Sequence, residues 1–385
     1  MGCILTKVCL GEDLLQLGDA AAPEQQQELQ PSSHRLSRAK TTLLVLDPND
    51  VSSAAGLPHT EDFHAKEVPT EVRNDTLVYG GGVPGVALDA ERVELPEFTG
   101  IRDGGYRSRK DTSATFFSVF DGHGPQGAFV SHFVRENYHR AIAEAYLELI
   151  PRASSGAASG VARNASVTCD VIAEVFQTAA RTTVNRLGAS NIDISVSGTT
   201  AVGMLVCEKD VFIANIGDSR AIIARYSEDE STYVLHCETK DHKPNLPEER
   251  ARIERSNGRV FEWGSYRVWL QDVDMPGLAM SRSFGDSVAK TVGVTAEPDV
   301  STVEKLDFSS SRKKGERPTA FAVLASDGIW EFMTTDECID FVAVCIAEPG
   351  MSAQEACTAL VEEAYDRWDA EEDVVDDITV ALVYF

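Results

Sequence analysis

The chain has 385 residues, is 43% hydrophobic, and sets 35 Lys+Arg against 61 Asp+Glu for a formal net charge of −26. That is enough apolar sequence for one large domain or two small ones. So acidic a surface repels phosphate backbones and argues against nucleic acid as a partner. The eight cysteines form no Cys-x-x-Cys pair and several sit in apolar runs, which reads as reduced core residues of a cytosolic protein. No secretory signal is evident, and no run reaches the roughly 20 apolar residues of a membrane span.

In chain order, residues 1–40 read as a flexible tail. Met1-Gly-Cys-Ile-Leu-Thr6 fits the N-myristoylation pattern, with Gly2 as acceptor, and Cys3 is placed for palmitoylation. One acyl chain holds a membrane only marginally, so the second lipid matters. These features predict a protein on the cytoplasmic side of a membrane, with a cytosolic pool. One folded domain is predicted over 41–385, with a first strand at Thr41–Leu46 and a short apolar run at Thr76–Tyr79. The stretch 80–113 reads as an inserted loop.

Ala114–Phe120 is a β-branched and aromatic strand that runs into the turn Asp121-Gly-His-Gly124. A helix is predicted from about Phe129, with Phe129, Phe133, Ala141 and Leu147 on its apolar face. A Ser/Ala/Gly-rich linker at 153–165 separates it from a second helix over Val171–Leu187, which stops at Gly188. Strands at 197–206, 211–215, 221–224 and 232–235 suggest an antiparallel meander. The last third holds a strand at Ala320–Ala325, helices near 335–347 and 352–368, and a final strand at Ile378–Tyr384.

Four acidic turns abut these buried strands: Asp121-Gly-His, Gly217-Asp218-Ser-Arg220, Ser326-Asp327-Gly and Asp376-Asp377-Ile-Thr379. If the strands lie side by side, the carboxylates converge in one cleft. Such a cluster needs cations to remain charged. Ligands that are all oxygen point to Mg²⁺ or Mn²⁺ rather than zinc.

Phe120-Asp-Gly-His-Gly124, Ser197-Gly-Thr-Thr-Ala201, Gly217-Asp-Ser-Arg220, Asp241-His-Lys-Pro244, Gly277–Asp286, Ser326-Asp-Gly-Ile-Trp-Glu331 and Asp376-Asp-Ile-Thr379 occur in one order. Together they resemble the type 2C metal-dependent Ser/Thr protein phosphatases, the PPM family, over roughly 115–385. The stretch Val268–Gly277 is similar to plant and protist members. The resemblance implies an α+β fold, a four-layer α-β-β-α sandwich of two antiparallel sheets with flanking helices. It implies two Mg²⁺ or Mn²⁺ ions, with a third, weaker one. Asp121 then bridges two metals, the Gly122 carbonyl ligates one, and Asp327 and Asp376 complete the first. Asp218 and Glu331 lie where the third ion binds. His123 is the candidate acid that protonates the leaving alkoxide after a metal-bridging hydroxide attacks phosphorus. Phosphorylated proteins are the implied substrates, and the protein is expected to be a monomer.

Four further residues stand beside these. His242 reads as a structural turn or cap, and Trp330 and Trp269 as core or cleft wall. Asp286 reads equally as a turn residue or a metal contact. The family's first motif, an Arg followed closely by the acid of the second metal, is incomplete. Arg107 with Asp111 matches by letters, and Arg73 with Asp75 by position. Geometry favours Asp75, because at about 3.3 Å per residue Asp111 lies at the far end of the strand that ends in Asp121. The degraded motif also leaves an alternative, a lipid-anchored pseudophosphatase that binds without turnover.

Overall fold

The core strands are apolar along nearly their whole length because both of their faces are buried. In the central strand Ser113–His123, Phe116 and Phe120 point to one side and Phe117 and Val119 to the other, the two-residue period of a strand. The same split separates Phe321 and Val323 from Ala322 and Leu324 in Ala320–Ala325. The computed structural model describes residues 3–8, 42–46, 76–79, 92–94, 98–102, 105–109, 113–155, 169–207, 210–303, 317–349, 351–372 and 374–385.

One antiparallel sheet has the strand order Thr232–Glu238, Arg220–Ser227, Ala320–Ala325, Ile378–Tyr384, Cys3–Val8, Thr42–Leu46. The other runs Phe284–Gly285, Gly198–Thr199, Ser113–His123, Ala201–Cys207, Asp210–Ile216, Asp299–Val303, and Thr76–Tyr79 and Arg92–Glu94 also pair with its central strand. Their facing sides share one core, in which Phe117, Val119 and Met204 meet Ile223, Leu324 and Val383. Behind the second sheet, Phe116 and Phe120 pack on Val134, Tyr138 and Phe176 of the helices Gly127–Ser155 and Cys169–Gly188. Behind the first, Phe321 and Leu382 pack on Val342 and Leu360 of the helices Thr335–Ala347 and Ala353–Glu371. Capping boxes begin both of these: Thr334 with Glu337 and Ser352 with Glu355. The result is the four-layer α-β-β-α sandwich expected from the sequence.

A smaller cluster, Ile253, Val260, Val268 and Val292, joins the helix Pro247–Arg255 to a three-stranded ribbon over 259–278. Buried Glu249 anchors this unit by accepting from Arg252 Nη2 at 2.6 Å and Arg282 Nη2 at 2.7 Å.

The structure corrects four expectations. The first helix begins at Gly127 and runs to Ser155, into the stretch read as linker. Its inward stripe is Val130, Val134, Tyr138, Ala141 and Ala145, whereas Phe129 is exposed. At roughly 100° of turn per residue, Phe129 stands beside that stripe rather than on it. The predicted meander is two hairpins in different sheets, and the chain crosses between them at Gly217–Ser219. Strands buried on both faces carry no alternation that would mark the change of sheet. Within the expected tail, Cys3–Val8 is a strand, antiparallel to Ile378–Tyr384 and to Thr42–Leu46. Its Ile4, Leu5, Thr6 and Val8 are good strand formers. Within the expected insertion, Arg92–Glu94 joins the central strand and Phe98–Arg102 pairs with Gly105–Arg109.

Candidate active site

Strand register brings the acidic turns to one edge of the sandwich. In the first sheet Arg220 stands opposite Ala325, and Ala325 opposite Val380. Asp218 just before one strand, Asp327 just after the next and Asp376 just before the third therefore share an end. In the second sheet Ile216 stands opposite Ala201. Thr200 N donates to the Asp121 carbonyl at 2.8 Å, and Asp121 N donates to Thr200 Oγ1 at 3.1 Å. The Gly217–Asp218 crossing thus carries the edge of one sheet to the other. Gly217 has φ +109°, and a Cβ there would meet Thr200 at 2.6 Å, so the crossing requires glycine. His242 holds the same turn: it is buried, its Nδ1 accepts from Gly217 N at 3.1 Å, and its Nε2 bonds Asp299. This is the structural role read for it. Ser326 ties the Asp327 turn to that of Asp376, donating to the Asp377 carbonyl at 3.0 Å and accepting from Thr379 N at 3.1 Å.

The cluster is electrostatically crowded. Burial, then the charges of Asp218 and Asp376, push the Asp327 carboxyl up to about 7, against the pull of Lys243 and a hydrogen bond with Asp121. Asp218 is 1% exposed; its Oδ2 accepts from Lys243 Nζ at 2.7 Å, while its buried Oδ1 has no hydrogen-bond partner. One lysine therefore faces several acids. Among the described residues no three His, Cys, Asp or Glu side chains are grouped so as to hold a metal ion. Even so, an orphaned carboxylate oxygen and an acid pressed toward neutrality by burial and by its neighbours leave room for positive charge. An all-oxygen donor set of this kind fits Mg²⁺ or Mn²⁺. Asp376 and Glu331 lie exposed at the rim.

His123 is held in one orientation. Its Nε2 donates to Asp286 Oδ2 at 2.7 Å, and its Nδ1 is buried without a partner. Burial of the ring disfavours the imidazolium, but the charge and hydrogen bond of Asp286 outweigh it and lift His123 above its ordinary value. Asp286 is 1% exposed and also accepts from Ser283 Oγ at 2.5 Å. The pair rests on Gly198, where a Cβ would come within 2.6 Å of His123 Nε2. No sequence pattern links Asp286 to His123, 163 residues apart. The signal that could have pointed there is Gly198 of Ser197-Gly-Thr-Thr, where a side chain would strike both groups.

Arg220 grips Asp241 in bidentate fashion, at 2.9 and 2.7 Å, and lies 5.1 Å over Trp330, itself buried. It is a structural arginine. Trp269 is also buried, stacked on Phe261 at 4.9 Å. Arg73, Asp75, Asp111 and Gly2 lie outside the described residues. Arg107 belongs to the hairpin 98–109, apart from both large sheets.

The protein phosphatase 2C family model matches residues 87–372. The chain is 34% identical over 285 residues to "Probable protein phosphatase 2C 73" of Arabidopsis thaliana, covering 70% of each chain. It is 37% identical over 273 residues to "Probable protein phosphatase 2C 61" of the same plant, covering 69% of this chain and 74% of that one. The fold resembles the crystal structure of serine-threonine phosphatase 2C from Toxoplasma gondii, with TM-score 0.57 and 21% identity over 80% of this chain and 99% of that one. The chain belongs to the protein phosphatase 2C family of serine/threonine phosphatases.

Proposed function

We propose that this protein hydrolyses phosphoserine and phosphothreonine in proteins, with Mg²⁺ or Mn²⁺ held by Asp121, the Gly122 carbonyl, Asp327 and Asp376, and a weaker third ion by Asp218 and Glu331. The observation that carries this is the crowding of Asp218 and Asp327, which Lys243 offsets only in part. When bound, the cations supply a water acidic enough to give hydroxide near neutral pH, and charge to offset the phosphoryl oxygens. His123, whose protonated form Asp286 favours, donates from Nδ1 to the departing serine or threonine oxygen. No residue need become covalently phosphorylated. Asp75 is the proposed acid for the second metal and Arg73 the phosphate-holding arginine. The register supports both: Thr76 stands opposite Asp121, whereas Ser113, two residues after Asp111, begins the strand at its other end. The test is phosphate release from a phosphothreonine peptide. Turnover with Mn²⁺ that stops on adding EDTA is expected; a folded, Mn²⁺-loaded protein that binds the peptide without releasing phosphate would make it a pseudophosphatase.

The acylation pattern over Met1–Thr6 supports a further element, attachment to the cytoplasmic face of a membrane through lipids on Gly2 and Cys3. Pairing of Cys3 with Val383 competes with it, because a strand held in the sheet keeps Cys3 from the bilayer. Gly2→Ala is expected to move the protein from the membrane to the soluble fraction of a cell lysate. Equal distribution of wild type and variant removes the lipid anchor.

A further inference from the structure

Away from the acidic edge, a cavity of about 450 Å³ opens between the helix Cys169–Gly188 and the segment 290–298. Its volume is in the range that small organic ligands fill. Ala180, Arg181 and Val184 lie on one helical face, at spacings of three and four residues, and Lys290, Val294 and Ala296 stand across from them. The floor is apolar and two cations border it. Neither cation has a carboxylate partner in an ion pair among the described residues: Arg181 donates to Thr178 Oγ1 at 2.9 Å, and Lys290 Nζ donates to the carbonyls of Ser283, at 2.7 Å, and Gly285. An ammonium has three protons, so one of Lys290 remains for a ligand. Glu297 also lines the cavity, and the cations outnumber it. In a chain of net charge −26, two cations against one acid on the wall of a cavity are a local reversal of the overall balance.

We propose that this cavity is a binding site for a small organic anion, one acid group on a compact apolar body, with the acid paired to Arg181 and Lys290. The site is wired to the phosphatase chemistry. Ser283 and Gly285, whose carbonyls Lys290 holds, frame the turn at Asp286, and Asp286 holds His123. An anion that draws the ammonium toward the cavity loosens those carbonyls and so the orientation of the imidazole. Burial pushes the Lys290 amine down to about 8, opposed by Asp286, so an added anion meets a cation short of negative partners.

Anilinonaphthalene sulfonate is a suitable probe, because it joins one sulfonate to an apolar body and its fluorescence reports binding without reference to turnover. It is titrated into the full-length, Mn²⁺-loaded protein, and into Arg181→Glu, Lys290→Met and Trp263→Ser. Trp263 is an exposed aromatic of the ribbon, outside the residues that line the cavity, and serves as the control for non-specific dye binding. Saturable binding that weakens about 10-fold or more in Arg181→Glu, roughly the loss of one charge-assisted contact, and is unchanged in Trp263→Ser, is expected. Lys290 also supports the turn; if Lys290→Met fails to fold, Arg181→Glu alone decides. Dye binding indifferent to Arg181→Glu overturns the site. The link to His123 rests on the proposed acid role. Bound dye is expected to lower turnover of a phosphothreonine peptide at least twofold more than that of p-nitrophenyl phosphate, and Arg181→Glu to abolish the difference while keeping its own basal activity. Binding without any change in that ratio overturns the coupling and leaves the phosphatase assignment untouched, since that is read from Mn²⁺-dependent turnover itself.

Discussion

His123 and Asp286 show how one residue's chemistry is set by another far away in sequence. A histidine 22% exposed at a cleft edge ordinarily titrates near neutrality. Here a carboxylate buried beneath Nε2 favours the protonated ring and leaves Nδ1 as the free donor. A phosphoserine or phosphothreonine leaves as a strongly basic alkoxide and needs that proton; p-nitrophenolate does not. His123→Ala is therefore expected to lower kcat on a phosphothreonine peptide by about 100-fold or more and on p-nitrophenyl phosphate by under about 10-fold, in the range of a lost general acid. Asp286→Asn keeps the shape but not the charge, and should show the same leaving-group dependence more weakly, with KM unmoved. Equal losses on both substrates would place the pair outside the proton transfer.

At the scale of elements, the site depends on which ends of strands lie together. The pairing of Thr76–Tyr79 with Ser118–Asp121 favours Asp75 over Asp111. Asp75→Asn is expected to raise the Mn²⁺ concentration for half-maximal activity by about 10-fold or more, and Asp111→Asn by less than about twofold, on the scale of altered metal sites. The reverse order returns the ligand to the stretch around Arg107. Much of this was legible in the sequence. Asp121, Asp218, Asp327 and Asp376 each end or begin an apolar run, and turn residues sit beside them. Three things were not legible. Arg220–Ser227 and Asp210–Ile216 look alike as strings, because both faces of each are covered, so their separation into two sheets left no trace in the pattern. Phe129 offered an aromatic where the helix face called for one, and only the stripe through Val130 and Val134 shows that it lies aside. Asp286 could be linked to His123 only through the meeting of Phe284–Gly285 with Gly198–Thr199, a contact made in space.

For the whole molecule, the sandwich places two double-sided sheets so that their acidic ends meet, and it does so at a cost. Helix and sheet cores on three levels hold Asp218 and Asp327 close together although the charge of Asp218 disfavours that of Asp327. A fold that sustains such repulsion has a use for the charge, and the proposed divalent cations would offset it. Asp327→Asn should then leave the metal-free protein at least as resistant to heat as wild type, because a repulsive carboxylate is gone. The most direct measurement is Mn²⁺ titration of wild type and Asp327→Asn, followed by calorimetry and by phosphate release from a phosphothreonine peptide on the same samples. In wild type, binding and turnover should rise over one concentration range, and in the folded variant both should fall by about 100-fold, as for loss of a metal-site residue. A folded Asp327→Asn that binds Mn²⁺ and turns over like wild type contradicts the assignment of this cluster as the metal centre.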